Sequence, residues 1–281
     1  MKISLVNYAT KEYEKKKKQN TFSAKYLGRF DKVYSYKPDD IEDKFKSDNL
    51  EILSQKRGAG LWLWKPYFFY RVLNNYIEED DYLFHCDASS FFIRSVKPLI
   101  EVMKKSNIDI MCFSLPLVEK EWTSKKVLEY FNANDDMINS NQILGNFLIV
   151  KKTQRTLAFA KEWLNLCTDK NLMLNTDENI NITNENYKAH RFDQSILSLL
   201  CKKNGIKPFR DPSQYGLYPE MYRNNGSIIA IENQVSPYRT TIILLRKSSF
   251  LKTYFSFILK SGINFLLPSL YNKLIKYNID E

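Results

Sequence analysis

Short apolar runs alternate with longer polar stretches through the first half of the chain, and this alternation is the tightest constraint on its fold. Ile3–Tyr8 reads as a buried strand followed by a Lys-rich helical segment. KVYSYK, Lys32–Lys37, is a second short strand, and residues 39–56 are polar and helical. KPYFFYRVLNNYI, Lys65–Ile77, is a helix with Pro66 in its first turn, where a missing N–H costs nothing. DYLFHCD, Asp81–Asp87, is a third strand. Ile108–Leu115 is a fourth, apolar throughout as befits a strand covered on both faces. QILGNFLIVKK, Gln142–Lys152, reads as another strand, Thr153–Thr168 as an amphipathic helix, and Asp193–Lys203 as a helix closed by Asn204-Gly205. IKPFRD, Ile206–Asp211, is a final strand. The pattern predicts an α/β fold with a mostly parallel sheet flanked by helices. Asp169–His190 is polar, Asn-rich and long for a compact domain, which marks a mobile or functional loop.

The tail differs. From Gln234 to Ile279 there is no acidic residue, while Arg239, Arg246, Lys247, Lys252, Lys260, Lys273 and Lys276 lie among many apolar side chains. This divides the chain into a domain over 1–233 and a basic, helical C-terminal extension over 234–281. The longest uncharged run there, Ser261–Asn272, is too short to cross a bilayer. Two readings stay open: a basic amphipathic segment resting on an anionic membrane, or a helical pair packed on the core with its Lys face solvated. The net charge of +10 favours an anionic partner, whether nucleotide, nucleic acid or membrane. The basic residues are dispersed among acids over most of the chain and no nucleic-acid-binding signature occurs, so the expectation is no nucleic-acid partner. Only 8 Gly and 9 Pro argue against a turn-rich all-β fold. Four scattered cysteines without CxxC spacing read as reduced and mostly buried, as in a cytosolic protein. The N-terminus breaks into charge too early for a signal peptide. The expected location is cytoplasmic, peripheral to the inner face of the membrane.

Chemistry concentrates in two places. Asp87 ends a buried strand and precedes the small Ala88 and Ser89. Ligands of open α/β sheets bind beyond such strand ends, and a carboxylate there can hold a divalent cation against a diphosphate. The competing role is a turn or cap. His85 shares a strand face with Asp87. His190, Arg191 and Asp193 open a helix, where anions are favoured; Asp193 also suits capping.

Taken in order, RGAGLWLWKPYFF, DYLFHCDASSFF, EWTSKK and HRFDQSILSLLCKKNGI resemble a family of bacterial GT-A-type glycosyltransferases of surface-polysaccharide (lipopolysaccharide and capsule) synthesis, over roughly residues 1–215. The resemblance implies a GT-A-like, Rossmann-like sheet and a nucleotide-diphospho-sugar donor. It implies transfer of the sugar to a hydroxyl of a glycan or lipid-linked acceptor. Asp87 would be the metal- or nucleotide-contacting acid, with His190 completing a Mn²⁺ or Mg²⁺ site. Ser89 stands where an Asp-x-Asp motif has its second acid, which leaves open a metal-independent route with Arg57, Lys65 and Arg191 neutralising the departing diphosphate. Gly58, Gly60, Trp64 and Gln194 would complete the donor site. Trp62 and Trp64 would pack or position the sugar, Gln142 would face it, and Trp122 and Thr123 would line the acceptor side. Asp193 is the candidate general base. A catalytically inactive scaffold of the same fold and a basic nucleic-acid-binding protein are the alternative readings.

Overall fold

The computed structural model describes residues 1–174, 186–225, 237–245 and 249–267. Its centre is a five-stranded sheet whose strands lie in the order Lys32–Tyr36, Ile3–Tyr8, Tyr82–Cys86, Phe147–Lys151 and Ile110–Met111. β1 (Ile3–Tyr8) pairs in parallel with β2 (Lys32–Tyr36) on one side and β3 (Tyr82–Cys86) on the other. β8 (Phe147–Lys151) runs antiparallel to both β3 and β5 (Ile110–Met111). Four strands therefore share one direction and β8 opposes them, in keeping with the mostly parallel sheet expected.

Strand side chains alternate between two buried layers. Val6, Leu83, Leu148 and Val150 pack on one side with helices α2 (Trp64–Tyr76), α4 (Gln154–Thr168) and α5 (Asp193–Lys203). Leu5, Phe84, Phe147 and Ile149 face the other layer, with α3 (Lys97–Lys105). The period of two divides each strand between the cores, so both faces must be apolar. Helix α2 wedges Phe68, Phe69, Val72 and Leu73 into the first layer, each at most 1% exposed. Each such side chain contributes roughly 1.5–3 kcal/mol. Phe69→Ala would cost about 3–5 kcal/mol. All four cysteines are free and buried.

Two expected strands break. The Ile108–Leu115 run divides into β5 and β6 (Ser114–Val118), which leaves the main sheet to pair with β7 (Asn141–Ile143). Pro116 is tolerated because β6 lies in a two-stranded ribbon. Gln142–Lys152 divides into β7 and β8 around Leu144-Gly145-Asn146. Of the expected strand Ile206–Asp211, only an isolated bridge from Phe209 to Phe113 forms.

The tail does not separate cleanly at residue 234. β9 (Ile242–Leu244) pairs antiparallel with β4 (Ser90–Phe92), and Tyr238, Ile242 and Leu244 enter the second core. Helix α6 (Phe250–Leu266) packs Phe257 inward beside Tyr218 and Ile243. No helix among the described residues is long and apolar enough to cross a membrane. Arg246, Lys247, Lys273 and Lys276 lie outside the described residues, as does 175–185 of the Asn-rich segment.

Candidate functional site

The chain leaves β1 towards β2 on one side and reaches β3 on the other, so the strand order reverses between β1 and β3. Such a reversal opens a crevice at the carboxyl ends of the strands. A cavity of about 580 Å³ lies there. Tyr8 through Tyr13, following β1, form one wall; Asp87, Ala88 and Ser89, following β3, form another. The third comes from Lys56, Gly58, Ala59, Trp62 and Trp64.

That third wall has an unusual backbone. All five residues from Gly58 to Trp62 have positive φ, between 51° and 93°. Left-handed geometry costs a non-glycine residue roughly 1–2 kcal/mol, and such strain persists where surrounding structure fixes it, commonly at functional sites. Here the Trp64 indole N–H donates to the Gly58 carbonyl at 2.9 Å, and Tyr8 stacks on Trp64 at 4.2 Å. At Gly60 a Cβ would approach the Leu53 backbone to 2.9 Å, so glycine serves packing there and not the cavity.

Behind Asp87 lies a buried ionic cluster. The Lys65 ammonium, 5% exposed, stands 3.2 Å from Asp87 Oδ1 and 3.4 Å from Asp193 Oδ2, and donates to the Gly145 carbonyl at 3.2 Å. His85 Nε2 is 3.7 Å from Asp87 Oδ1. The ion pairs lack good hydrogen-bond direction: Asp87 Oδ1, Asp193 Oδ2 and His85 Nε2 are buried without a hydrogen-bond partner. Desolvation pushes the Asp193 carboxyl up to about 7, against the opposing pull of Lys65. Desolvation also acts to raise Asp87, but Lys65 and His85 outweigh it and hold Asp87 below the usual carboxylate range. Burial favours uncharged Lys65 and the two carboxylates outweigh that, so its ammonium is stabilised. Burial keeps His85 neutral. Access and basicity are thus divided. Asp87, 20% exposed, reaches the cavity as a carboxylate, while Asp193, 3% exposed, titrates near neutrality behind Lys65.

Of the residues expected in the donor site, Gly58, Trp62, Trp64, Asp87 and Ser89 line the cavity. Lys65 and Asp193 join Asp87 from beneath. The others have different surroundings. Arg57 lies over the Phe192 ring at 5.1 Å and Arg191 over Trp122 at 4.2 Å. Gln142 is fully buried, contacting Glu119, Thr123 and Ser195 and accepting from Gln194 Nε2 at 2.7 Å. Gln194 Oε1 accepts from the Gly145 N–H at 3.0 Å. Both glutamines therefore brace the loop that holds Lys65. Thr123 donates to Glu119 and belongs to the same buried network.

The Asp87–His190 pair expected to hold a divalent cation is not brought together at the cavity wall: Asp87 lines the cavity and His190 does not. His190 is 2% exposed; its Nδ1 accepts from the Ser124 N–H at 3.3 Å and its ring packs on Phe192. Burial drives its pKa down to about 3, leaving it neutral. Asp87 instead faces the Lys65 ammonium. Among the described residues, no group of three or more His, Cys, Asp or Glu side chains is placed to hold a metal ion.

Sequence reasoning missed Tyr8, Lys11 and Lys56 in the cavity wall; it put His85 on the face of Asp87, and the structure sets the two 3.7 Å apart. The shared parity of His85 and Asp87 was a usable signal. The β1-end residues needed the strand order, which fixes where the crevice opens.

No protein-family model matches the chain, and no curated protein matches it. Solved structures do. The chain is similar to apo mouse xyloside xylosyltransferase 1, with 9% identity, 90% of this chain and 99% of that one covered, and a TM-score of 0.50. It is also similar to the galactosyltransferase LgtC in complex with donor and acceptor sugar analogs (14% identity, 86% of each chain, TM-score 0.43). A third similar structure is the glycosyltransferase GlyE of Streptococcus pneumoniae (14% identity, TM-score 0.43), where 86% of this chain covers 54% of that one, so the chain spans about half its length. The first likeness shows the fold: an α/β, GT-A-like sheet flanked by helices.

Proposed function

We propose that the protein is a glycosyltransferase that moves a sugar from a nucleotide-diphospho-sugar to a hydroxyl of a glycan or lipid-linked acceptor in bacterial surface-polysaccharide synthesis. The observation that carries this reading is the cavity at the β1/β3 reversal, where a strand-end carboxylate meets a strained aromatic wall and two lysines. Tyr8 and Trp64 offer apolar ring surface, Lys11 and Lys56 offer charge to a diphosphate, and Asp87 accepts hydrogen bonds from sugar hydroxyls. Transfer forms a bond from the acceptor oxygen to the anomeric carbon and breaks the bond from that carbon to the diphosphate. The acceptor hydroxyl loses its proton as the nucleoside diphosphate departs. Asp87 is the carboxylate with access to that proton. Asp193 acts through Lys65 as a positioning residue that sets the charge of the cluster. Lys11 and Lys56, fixed cations in the cavity wall, stabilise the leaving group without a resident metal.

Helix α6 supports a peripheral membrane location. Leu251, Phe255, Ile258, Leu259, Phe265 and Leu266 are 46–85% exposed and recur at helical spacing. An apolar stripe of that kind lies in a bilayer interface.

Thermal shift with UDP, GDP, CMP and dTDP and their sugars, each with EDTA or Mn²⁺, tests the donor reading. One nucleotide should stabilise the wild type with EDTA present, and the corresponding sugar should release nucleoside diphosphate when acceptor is supplied. Silence with every nucleotide would move the assignment to an inactive scaffold.

A further inference from the structure

Three arginines line a pocket that shares no residue with the donor cavity. Arg94, Arg210 and Arg239 line a second pocket of about 450 Å³, whose apolar surface comes from Leu217, Tyr238 and Phe257. Arg94 follows β4 and donates to the Thr240 carbonyl ahead of β9. Arg210 donates from Nη2 to the Tyr238 carbonyl at 2.9 Å and lies over that ring. Its Nε and Nη1 are buried and have no hydrogen-bond partner among the described residues. Asp211, next in the chain, is the carboxylate that acts on Arg210; none lines the pocket. The three arginines line one space large enough for a ligand.

Buried guanidinium donors without acceptors are costly, and planar forks of this kind match phosphate oxygens in pairs. The pocket's position narrows the ligand. Phe257 belongs to α6, so the apolar wall continues into the helix whose outer face exposes Leu259 and Phe265. A ligand with a phosphate at one end and hydrocarbon at the other satisfies both surfaces.

We propose that Arg94, Arg210 and Arg239 form a phosphate site for the headgroup of an anionic membrane lipid, whose acyl chains lie along α6. This deepens the membrane reading of α6 and rests on it; it does not depend on the transferase chemistry. The site is physically tied to the donor cavity. β4 and β9 form one ribbon, with the Leu245 N–H bonded to the Ser89 carbonyl at the cavity end and the Ile93 N–H bonded to the Thr241 carbonyl near the arginines. At about 3.3 Å per residue, Ser89 to Arg94 spans about 17 Å. The headgroup would sit that far along the ribbon from the mouth of the cavity.

Flotation of the full chain with vesicles tests the proposal. Phosphatidylcholine vesicles are compared with vesicles doped with phosphatidylglycerol. Arg94 and Arg239 are exposed, so Arg94→Gln/Arg239→Gln should keep the wild-type unfolding transition. It should lose attachment to the anionic vesicles by about tenfold or more while keeping its attachment to neutral ones. The charge-matched pair Lys44→Gln/Lys161→Gln, exposed and outside the pocket, should lose far less. Arg210→Lys keeps the charge but not the fork, and should also weaken anionic attachment. Equal losses in the arginine and lysine pairs would overturn the pocket in favour of net charge. Stabilisation by inorganic phosphate without vesicle attachment would overturn the lipid as occupant. Leu259→Ser/Phe265→Ser should weaken attachment to both vesicle types; if it changes neither, the membrane reading of α6 fails by itself.

Discussion

Two of the buried polar clusters among the described residues are of similar make-up, and helix α5 contributes to both. In one, Glu119, fully buried, accepts from Thr123 at 2.5 Å, Gln142 at 3.1 Å, Ser198 and Lys202 at 2.7 Å. In the other, Lys65 stands between Asp87 and Asp193, and three buried polar atoms around it have no directed hydrogen bond. The first cluster is closed and away from the cavity; the second is open towards it. A satisfied network rigidifies, whereas orphaned polar atoms in a low dielectric are retained where they serve chemistry. The two connect through Gln142, Gln194 and Gly145, so the sealed cluster braces the loop of the open one.

The contrast can be broken most forcefully at Glu119. Glu119→Ala leaves Lys202 without its carboxylate and should lower unfolding free energy by about 3–5 kcal/mol in urea titration, with nucleotide affinity of the folded protein preserved. A nucleotide site lost along with stability would show that the clusters are not distinct. Asp193 should behave oppositely. Its carboxyl titrates at about 7 in the fold against 3.8 in the free side chain. Between those values the folded chain holds a proton that the unfolded chain has released, so this group's contribution is complete below pH 4 and fades as pH rises through 7. The full shift corresponds to about 4 kcal/mol. Asp193→Asn should therefore gain stability relative to wild type as pH rises, read from unfolding midpoints at several pH values. A constant difference across that window would remove the shift.

Asp87→Asn should lower transfer by about a hundredfold, roughly 2.7 kcal/mol, with little loss of stability. Activity near wild type would reassign the cavity-facing role. Gly145→Ala is gentler: a Cβ there meets Gln194 Cβ at 2.9 Å. The overpacking costs about 1–3 kcal/mol and should appear as weakened nucleotide binding greater than that of a surface Gly→Ala change. EDTA should have the smallest effect, leaving transfer unchanged; strict dependence on Mn²⁺ would return a cation to the site.

Sequence reading reached β1, β3, α2 and α5 because their apolar spacing is strong, and it reached Asp87 because a carboxylate at the end of a buried strand is conspicuous. It placed Arg57, Arg191 and His190 with the ligand because residue type suggested charge complementarity. In the fold Arg57 and Arg191 lie over aromatic rings and His190 accepts from a backbone N–H. Lys65 was recognisable as a cation, but its ion pairs with carboxylates on another strand and another helix depend on tertiary packing. The split of Gln142–Lys152 was signalled only by Gly145, the residue whose carbonyl then receives Lys65.

Lys65 is the second residue of α2, and that helix is driven into the interior by Phe68 and Phe69. A dissolved ion exchanges with solvent; a side chain rooted in the core stays where the fold puts it. The anchoring fixes the ammonium beside Asp87 and Asp193, behind the cavity wall, so what it sets is the charge of those two carboxyls. Transfer without a metal, as proposed, would not follow the divalent-ion supply around the protein.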